Sequence, residues 1–201
     1  MPGGLWALHD DLQSFQPLEP SGDLDRYLLC SDGLDGHVRI GLSRLHLHQS
    51  PSFRRRRKRG AFNNAIGRSR GGQTTKIHAL TDEIGRPRAL VITAGNVHDL
   101  DGARSLLAMG HQPKRLLADR AYDARSLRDV LAERRIKAVI PPNPTRKHPH
   151  RYDKIAYKGR NVIERMFCRL KDFRRVATRY DKLLANFMGF VKLAAIAIWL
   201  K

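Results

Sequence analysis

A mixed α/β sheet flanked by helices is the architecture that this 201-residue sequence predicts, and three observations predict it. Two alternating strands joined by a short turn occupy residues 74–95. Short apolar strands then alternate with amphipathic helices as far as residue 140. Two long helical stretches close the chain, with no further strand signal.

The elements follow in order. Residues 74–82 (TTKIHALTD) alternate as a half-buried strand does, and 83–86 (EIGR) form a turn in which Gly85 can take positive φ. Residues 87–95 (PRALVITAG) supply the second strand of the hairpin. A helix is expected over 99–109 (DLDGARSLLAM), with acidic residues in its first turn and Gly110 behind its end. Residues 115–119 (RLLAD) form a short apolar strand ending in a carboxylate. The amphipathic helix over 124–135 presents Leu127, Val130 and Leu131 to the interior. Residues 137–140 (KAVI) are another buried strand, stopped by Pro141 and Pro142. A polar loop over 143–154 carries His148 and His150, a helical stretch runs from Tyr157 to Tyr180, and an apolar helix starts at Leu183. Asn186 and Lys192 interrupt that last stretch, which reads as a buried helix rather than a membrane span. This order is compatible with a ribonuclease-H-like fold, as with other α/β folds.

Residues 1–60 are read as an irregular, basic N-terminal segment, and 61–201 as the folded domain. The first segment holds Pro2, Pro17, Pro20 and Pro51 and ends in the run RRRRKR at 54–59, which serves as a solvated linker or as a DNA-contacting arm. Across the chain, 38 Lys and Arg against 19 Asp and Glu leave a formal charge of +19, which points to a polyanionic partner, nucleic acid first. Cys30 and Cys168 form no C-x-x-C pair, which excludes a disulfide scaffold and a zinc-finger framework. The opening residues lack the basic and apolar regions of a secretory signal, so a cytoplasmic protein is expected.

Two carboxylates look chemical. Asp119 ends an apolar strand, where α/β sheets place ligand-binding groups, although a carboxylate there can equally cap the next helix. On the long helix, Tyr157, Arg160, Glu164 and Lys171 fall at offsets that project to one face at about 100° per residue. A solvated face with an Arg160–Glu164 pair would also explain that pattern. Between Arg146 and Lys182, however, thirteen Lys or Arg accompany only four acidic residues. A glutamate among so many cations is placed to hold a metal beside bound phosphates, since Mg²⁺ takes only one or two protein carboxylates. Two such ions support in-line phosphoryl transfer when carboxylates converge from different elements.

The spacing Y-x2-R-x3-E-x6-K over Tyr157, Arg160, Glu164 and Lys171 resembles the signature of the bacterial insertion-sequence DDE transposases, in the insertion-sequence-five group. NVIERMFCRLKDFRRVATRYDKL is similar to the region around that family's third carboxylate. AIGRSRGGQTTKIHAL, AGNVHDLDGA and LLADRAYDA are similar to its upstream blocks, with coverage from residue 61 to 200. The resemblance implies a ribonuclease-H-like catalytic domain that uses divalent metal, Mg²⁺ or Mn²⁺, for DNA strand cleavage and strand transfer at element ends. It implies Asp119 and Glu164 as the second and third catalytic, metal-binding carboxylates. Tyr157, Arg160 and Lys171 would contact DNA, and Arg165, Arg169, Arg174 and Arg175 of the same basic segment would join them.

The first aspartate is expected at Asp35, in CSDGLDGHVRIG, with Asp32 the competing choice; this stretch is one residue short of the family spacing. An incomplete triad, and with it a catalytically inactive DNA-binding remnant, is the alternative; a nuclease that cuts without joining is a third. His98 and Asp99 are expected to be structural, Asp99 as a helix N-cap, and Tyr122 and Asp123 to support Asp119. The implied partners are double-stranded DNA, as terminal repeats and target, and a second copy in a synaptic homodimer. The implied location is the bacterial cytoplasm, at the nucleoid. The chain looks like a truncated or downstream-frame form.

Overall fold

The computed structural model describes residues 39–48, 64–70 and 72–200. One sheet contains β1 (Arg39–His48), β2 (Gly67–Ser69), β3 (Gly72–Thr81), β4 (Pro87–Ala94), β5 (Arg115–Ala118) and β6 (Lys137–Val139). The helices are α1 (Asp99–Ala108), α2 (Arg125–Glu133), α3 (Lys154–Tyr157), α4 (Asn161–Lys171), α5 (Arg174–Ala177) and α6 (Leu184–Trp199). β3 pairs antiparallel with β2, β4 and β1. β1 then pairs in parallel with β5, and β5 with β6. The expected mixed, ribonuclease-H-like sheet with flanking helices is therefore what these residues build.

Local chemistry explains the hairpin. Gly85 takes φ 91° in the β3–β4 turn, a region open to glycine at no steric cost. The Asp82 carboxylate closes the turn by accepting from the Ile84 and Arg86 backbone N–H groups and from Arg86 Nε. Residues 39–48, within the segment 1–60 read as irregular, form β1, which lies between β3 and β5 at the centre of the sheet, so the folded domain begins before residue 61. The apolar residues of β1, Ile40, Leu42, Leu45 and Leu47, fall on both strand parities in the sequence.

Two cores sandwich the sheet. On one face, Leu45, Leu47, Ile77 and Ile92 pack against Ile163, Phe167 and Leu170 of α4 and Phe187 and Val191 of α6. On the other, Leu80, Leu116 and Ala118 pack against Leu106 of α1, Tyr122, and Leu127 and Leu131 of α2. A smaller cluster, Leu117, Val139 and Ala156, seats α3 beside the end of β5.

The single helix expected from Tyr157 to Tyr180 does not form. α3 passes through a 3-10 turn at Lys158–Arg160 into α4, and the helix then stops at Asp172–Phe173. The stripe Ile163, Met166, Phe167 and Leu170 would continue, in a straight helix, to Arg174. Breaking at Phe173, whose ψ of 108° is extended, re-phases the chain so that Val176 is buried and Arg174 is exposed.

Candidate active site

Asp119 directly follows β5, at the carboxyl end of a parallel strand pair. Its Oδ1 accepts a 2.9 Å hydrogen bond from the Ala121 N–H and so caps the 3-10 turn Arg120–Tyr122. The capping role that position alone allowed is thus present, and the half-buried side chain sits at the strand end where a ligand-binding group is expected. Tyr122 is a fully buried core residue.

Glu164 comes from the first turn of α4 and is about half exposed. Arg160 Nη2 donates to its Oε1 at 2.6 Å, and the Arg160 guanidinium lies 5.5 Å from the Tyr157 ring centroid. Tyr157 in turn meets Tyr152 edge to face at 5.6 Å. The structure therefore brings Tyr157, Arg160 and Glu164 into one chain of contacts, although the intervening 3-10 turn replaces the uniform 100° step. Lys171 is exposed at the last residue of α4, beyond that chain. A Cβ on Gly159 would lie 3.5 Å from Leu117 Cδ2, so the turn before α4 rests on β5 two residues before Asp119.

A metal site for phosphoryl transfer needs carboxylates from several elements. Among the described residues, no three His, Cys, Asp or Glu side chains converge. Asp35, the expected first aspartate, and Asp32 lie outside the described residues. The strand alongside β5 is β1, and their parallel register ends at Leu42 with Ala118, one residue before Asp119. Ser43, the next residue of β1, pairs with Ala79 of β3, and the strand RIGLSRLHLH contains no carboxylate. Of the three carboxylates expected, Asp119 and Glu164 lie among the described residues.

The expected DNA contacts Arg165 and Arg169 on α4, and Arg174 and Arg175 on α5, are all exposed. Arg175 stacks 4.4 Å from the Phe190 ring centroid, which steadies its long side chain.

Three other polar residues carry structural work, and for Lys76 and Arg179 the pattern of the sequence carried no such expectation. Lys76, buried in β3, donates to Val97 O at 2.7 Å and to Asp99 Oδ1 at 3.0 Å. Asp99 is therefore an ion-pair partner, and His98 is the N-cap of α1 through Nδ1 accepting from the Leu100 N–H. A cation in the middle of an alternating strand was the available signal. Arg179 is completely buried. It donates to the carbonyls of Asn64, Ala65, Asp181 and Lys182 and to Thr75 Oγ1, and lies 4.8 Å from the Phe187 ring centroid. Burial pulls its guanidinium down to about 10, still charged at neutral pH.

Asp123 is the third. Its side chain is 1% exposed and pairs with Arg128 Nε at 2.7 Å and Arg146 Nε at 3.2 Å. Burial pushes its carboxyl up, but the hydrogen bond from the Asn143 N–H, that from Arg128 and the two guanidinium charges outweigh burial and hold it below its ordinary value. With its oxygens so engaged, Asp123 supports the region around Asp119 and is not a third carboxylate for it.

The Transposase DDE domain family matches residues 45–200. A proposed transposase for insertion sequence element IS6501 of Brucella ovis is 44% identical over 133 residues, covering 64% of this chain and 99% of that one. A proposed transposase for insertion sequence element IS402 of Burkholderia cepacia is 31% identical over 146 residues, covering 67% of this chain and 66% of the relative. A chain of the simian T-cell lymphotropic virus intasome, solved with the PP2A regulatory subunit B56 gamma, overlays with a TM-score of 0.39 at 11% identity. That overlay covers 83% of this chain and 51% of the viral one. With the family match spanning both Asp119 and the Tyr157–Arg160–Glu164 helix, this chain belongs to the DDE transposases of bacterial insertion sequences.

Proposed function

We propose that this chain acts on double-stranded DNA at the ends of an insertion element, cleaving strands and joining them to a target, in the bacterial cytoplasm at the nucleoid. The observation that carries this reading is Asp119 at the end of β5 with Glu164 on the helix whose preceding turn rests on the same strand. Asp119 and Glu164 would hold Mg²⁺, or Mn²⁺ in its place, and a bound ion would supply charge neutralisation at the phosphate. Arg160 holds Glu164 by a charge-assisted hydrogen bond, and Tyr157 supports the Arg160 plane. Lys171, Arg165, Arg169, Arg174 and Arg175 seat the DNA backbone, and two copies hold two ends. The test is nicking of terminal-repeat DNA by the purified chain with Mg²⁺ or Mn²⁺. Glu164→Gln is expected to lose about a thousandfold, the scale of several kcal/mol of transition-state stabilisation. Equal cleavage by that variant would show the assignment to be wrong.

A second reading has its own observation: β1, the strand paired with β5 up to Ala118, contains no carboxylate, and Ser43 is the residue that follows its last partner of β5. On this reading the chain binds DNA without cutting it, unless Asp35 is brought to the site. It predicts salt-sensitive, metal-independent binding, no cleavage at any metal concentration, and a gain of metal-dependent nicking in Ser43→Asp. Wild-type cleavage that disappears in Asp35→Asn would decide for the first reading.

A further inference from the structure

β6 ends at Val139 and α3 starts at Lys154, leaving a connection of 14 residues at the same edge of the sheet as Asp119. Connections of about that length without secondary structure are uncommon in compact domains, and ordered ones are usually functional. This one is ordered by Asp123. The carboxylate accepts from the Asn143 N–H at 2.7 Å and from Arg146 Nε at 3.2 Å, while Arg146 Nη2 donates to Asp123 O at 3.3 Å. Arg128, paired with the same carboxylate, also donates to Ile140 O at 3.0 Å. Asn143 Oδ1 accepts from Thr145 N and Oγ1, and Pro141, Pro142, Pro144 and Pro149 stiffen the rest.

The clamp consumes Arg128 and Arg146 but leaves the cations that follow it outside. Lys147, His148, His150 and Arg151 are all exposed, and residues 140–152 contain no Asp or Glu. A solvated loop does not need a buried carboxylate with two guanidinium partners to fix its base. We propose that the loop over residues 143–151, fixed to the Asp119 strand end by Asp123, is a preformed phosphate-binding surface for duplex DNA, with Lys147 and Arg151 making the contacts. Asp123 is then a positioning residue: it sets where the loop cations stand relative to Asp119 and touches no DNA. Pre-ordering the loop removes the entropy that a flexible basic tail would lose on binding. The inference rests on the proposed action on DNA.

Fluorescence anisotropy with a short labelled duplex, over a salt series and without metal, tests it. Lys147→Ala/Arg151→Ala is expected to weaken binding about tenfold and to reduce the log K against log salt slope by about 1.8, at roughly 0.9 per lost phosphate contact. Asp123→Asn is expected to weaken binding while leaving the slope unchanged, because Lys147 and Arg151 still meet phosphates but the loop must lose on binding the freedom that the clamp had already removed. The sign is decisive: deleting an acidic charge without a positioning role would strengthen binding. Thermal melting establishes that Asp123→Asn is folded; if it is not, the Lys147/Arg151 variant, which leaves the clamp intact, decides alone. Unchanged affinity and slope in that variant, with loss in Arg165→Ala/Arg169→Ala, would overturn the loop surface and leave the DNA reading standing. Failure of the wild-type chain to bind duplex at low salt would overturn both.

Discussion

The interior beneath α6 and the outer side of α4 are furnished with the same residue type and use it in opposite ways. Arg179 spends its donors on four carbonyls and a hydroxyl and is completely buried. Arg165 and Arg169 are exposed. The difference teaches that formal charge overstates the charge open to a polyanion. Arg179, Arg128, Arg146 and Lys76 all belong to internal networks, and a count of cations along the sequence treats them like those on α4.

The comparison breaks most visibly at Arg179. Arg179→Ala strips a partner from carbonyls of two chain segments and from the Thr75 hydroxyl of a third, and should cost about 3–5 kcal/mol, the range for dismantling a buried charged network. For a domain of this size that lowers the melting temperature by on the order of 10 °C. A shift of about a degree in calorimetry would mean that this interior is held by its apolar packing alone. Lys76→Met should follow at about 2–4 kcal/mol, because it removes the ammonium 3.0 Å from the Asp99 carboxylate, which is 15% exposed. A Lys76→Met/Asp99→Leu double variant should recover part of that loss in urea unfolding.

Asp123 sharpens the contrast through pH. Its folded pKa is depressed, so its contribution is fully present above the ordinary carboxylate value of 3.8 and is lost as pH falls through the lower folded value. Asp123→Asn should therefore flatten the acid limb of the stability curve, and an unchanged limb would show that the clamp adds no pH-linked stability. The smallest effect belongs to the exposed side: Arg165→Ala/Arg169→Ala should change stability by within about 0.5 kcal/mol. The same variant should lower the salt slope of DNA binding by about 1.8.

Much of the fold could be read before any coordinates, for definite physical reasons. β3 and β4 alternate or carry glycine and proline at their limits, and α1 and α2 have apolar stripes, so short-range patterning places them within a residue or two. Asp119 stood out because a carboxylate ends an apolar run, and Glu164 because it belongs to a fixed spacing. β1 was hidden because its apolar residues occupy both parities. The break at Phe173 was hidden because no glycine or proline marks it; what sets it is the tertiary need to bury Val176. The pairing of Leu42 with Ala118, next to Asp119, joins segments more than seventy residues apart, and no local pattern encodes that register.

The central position of β1 also has a consequence for how the chain comes off the ribosome. One side of the strand finds its partner in β3, between residues 72 and 81, but the other waits for β5, which begins at Arg115. At roughly 5–20 residues per second, the nascent strand spends several seconds with an open hydrogen-bonding edge. For a protein this basic, synthesised close to other RNA and chains, that interval is when misassembly competes most strongly with folding, and a slower codon stretch before Arg115 would prolong it.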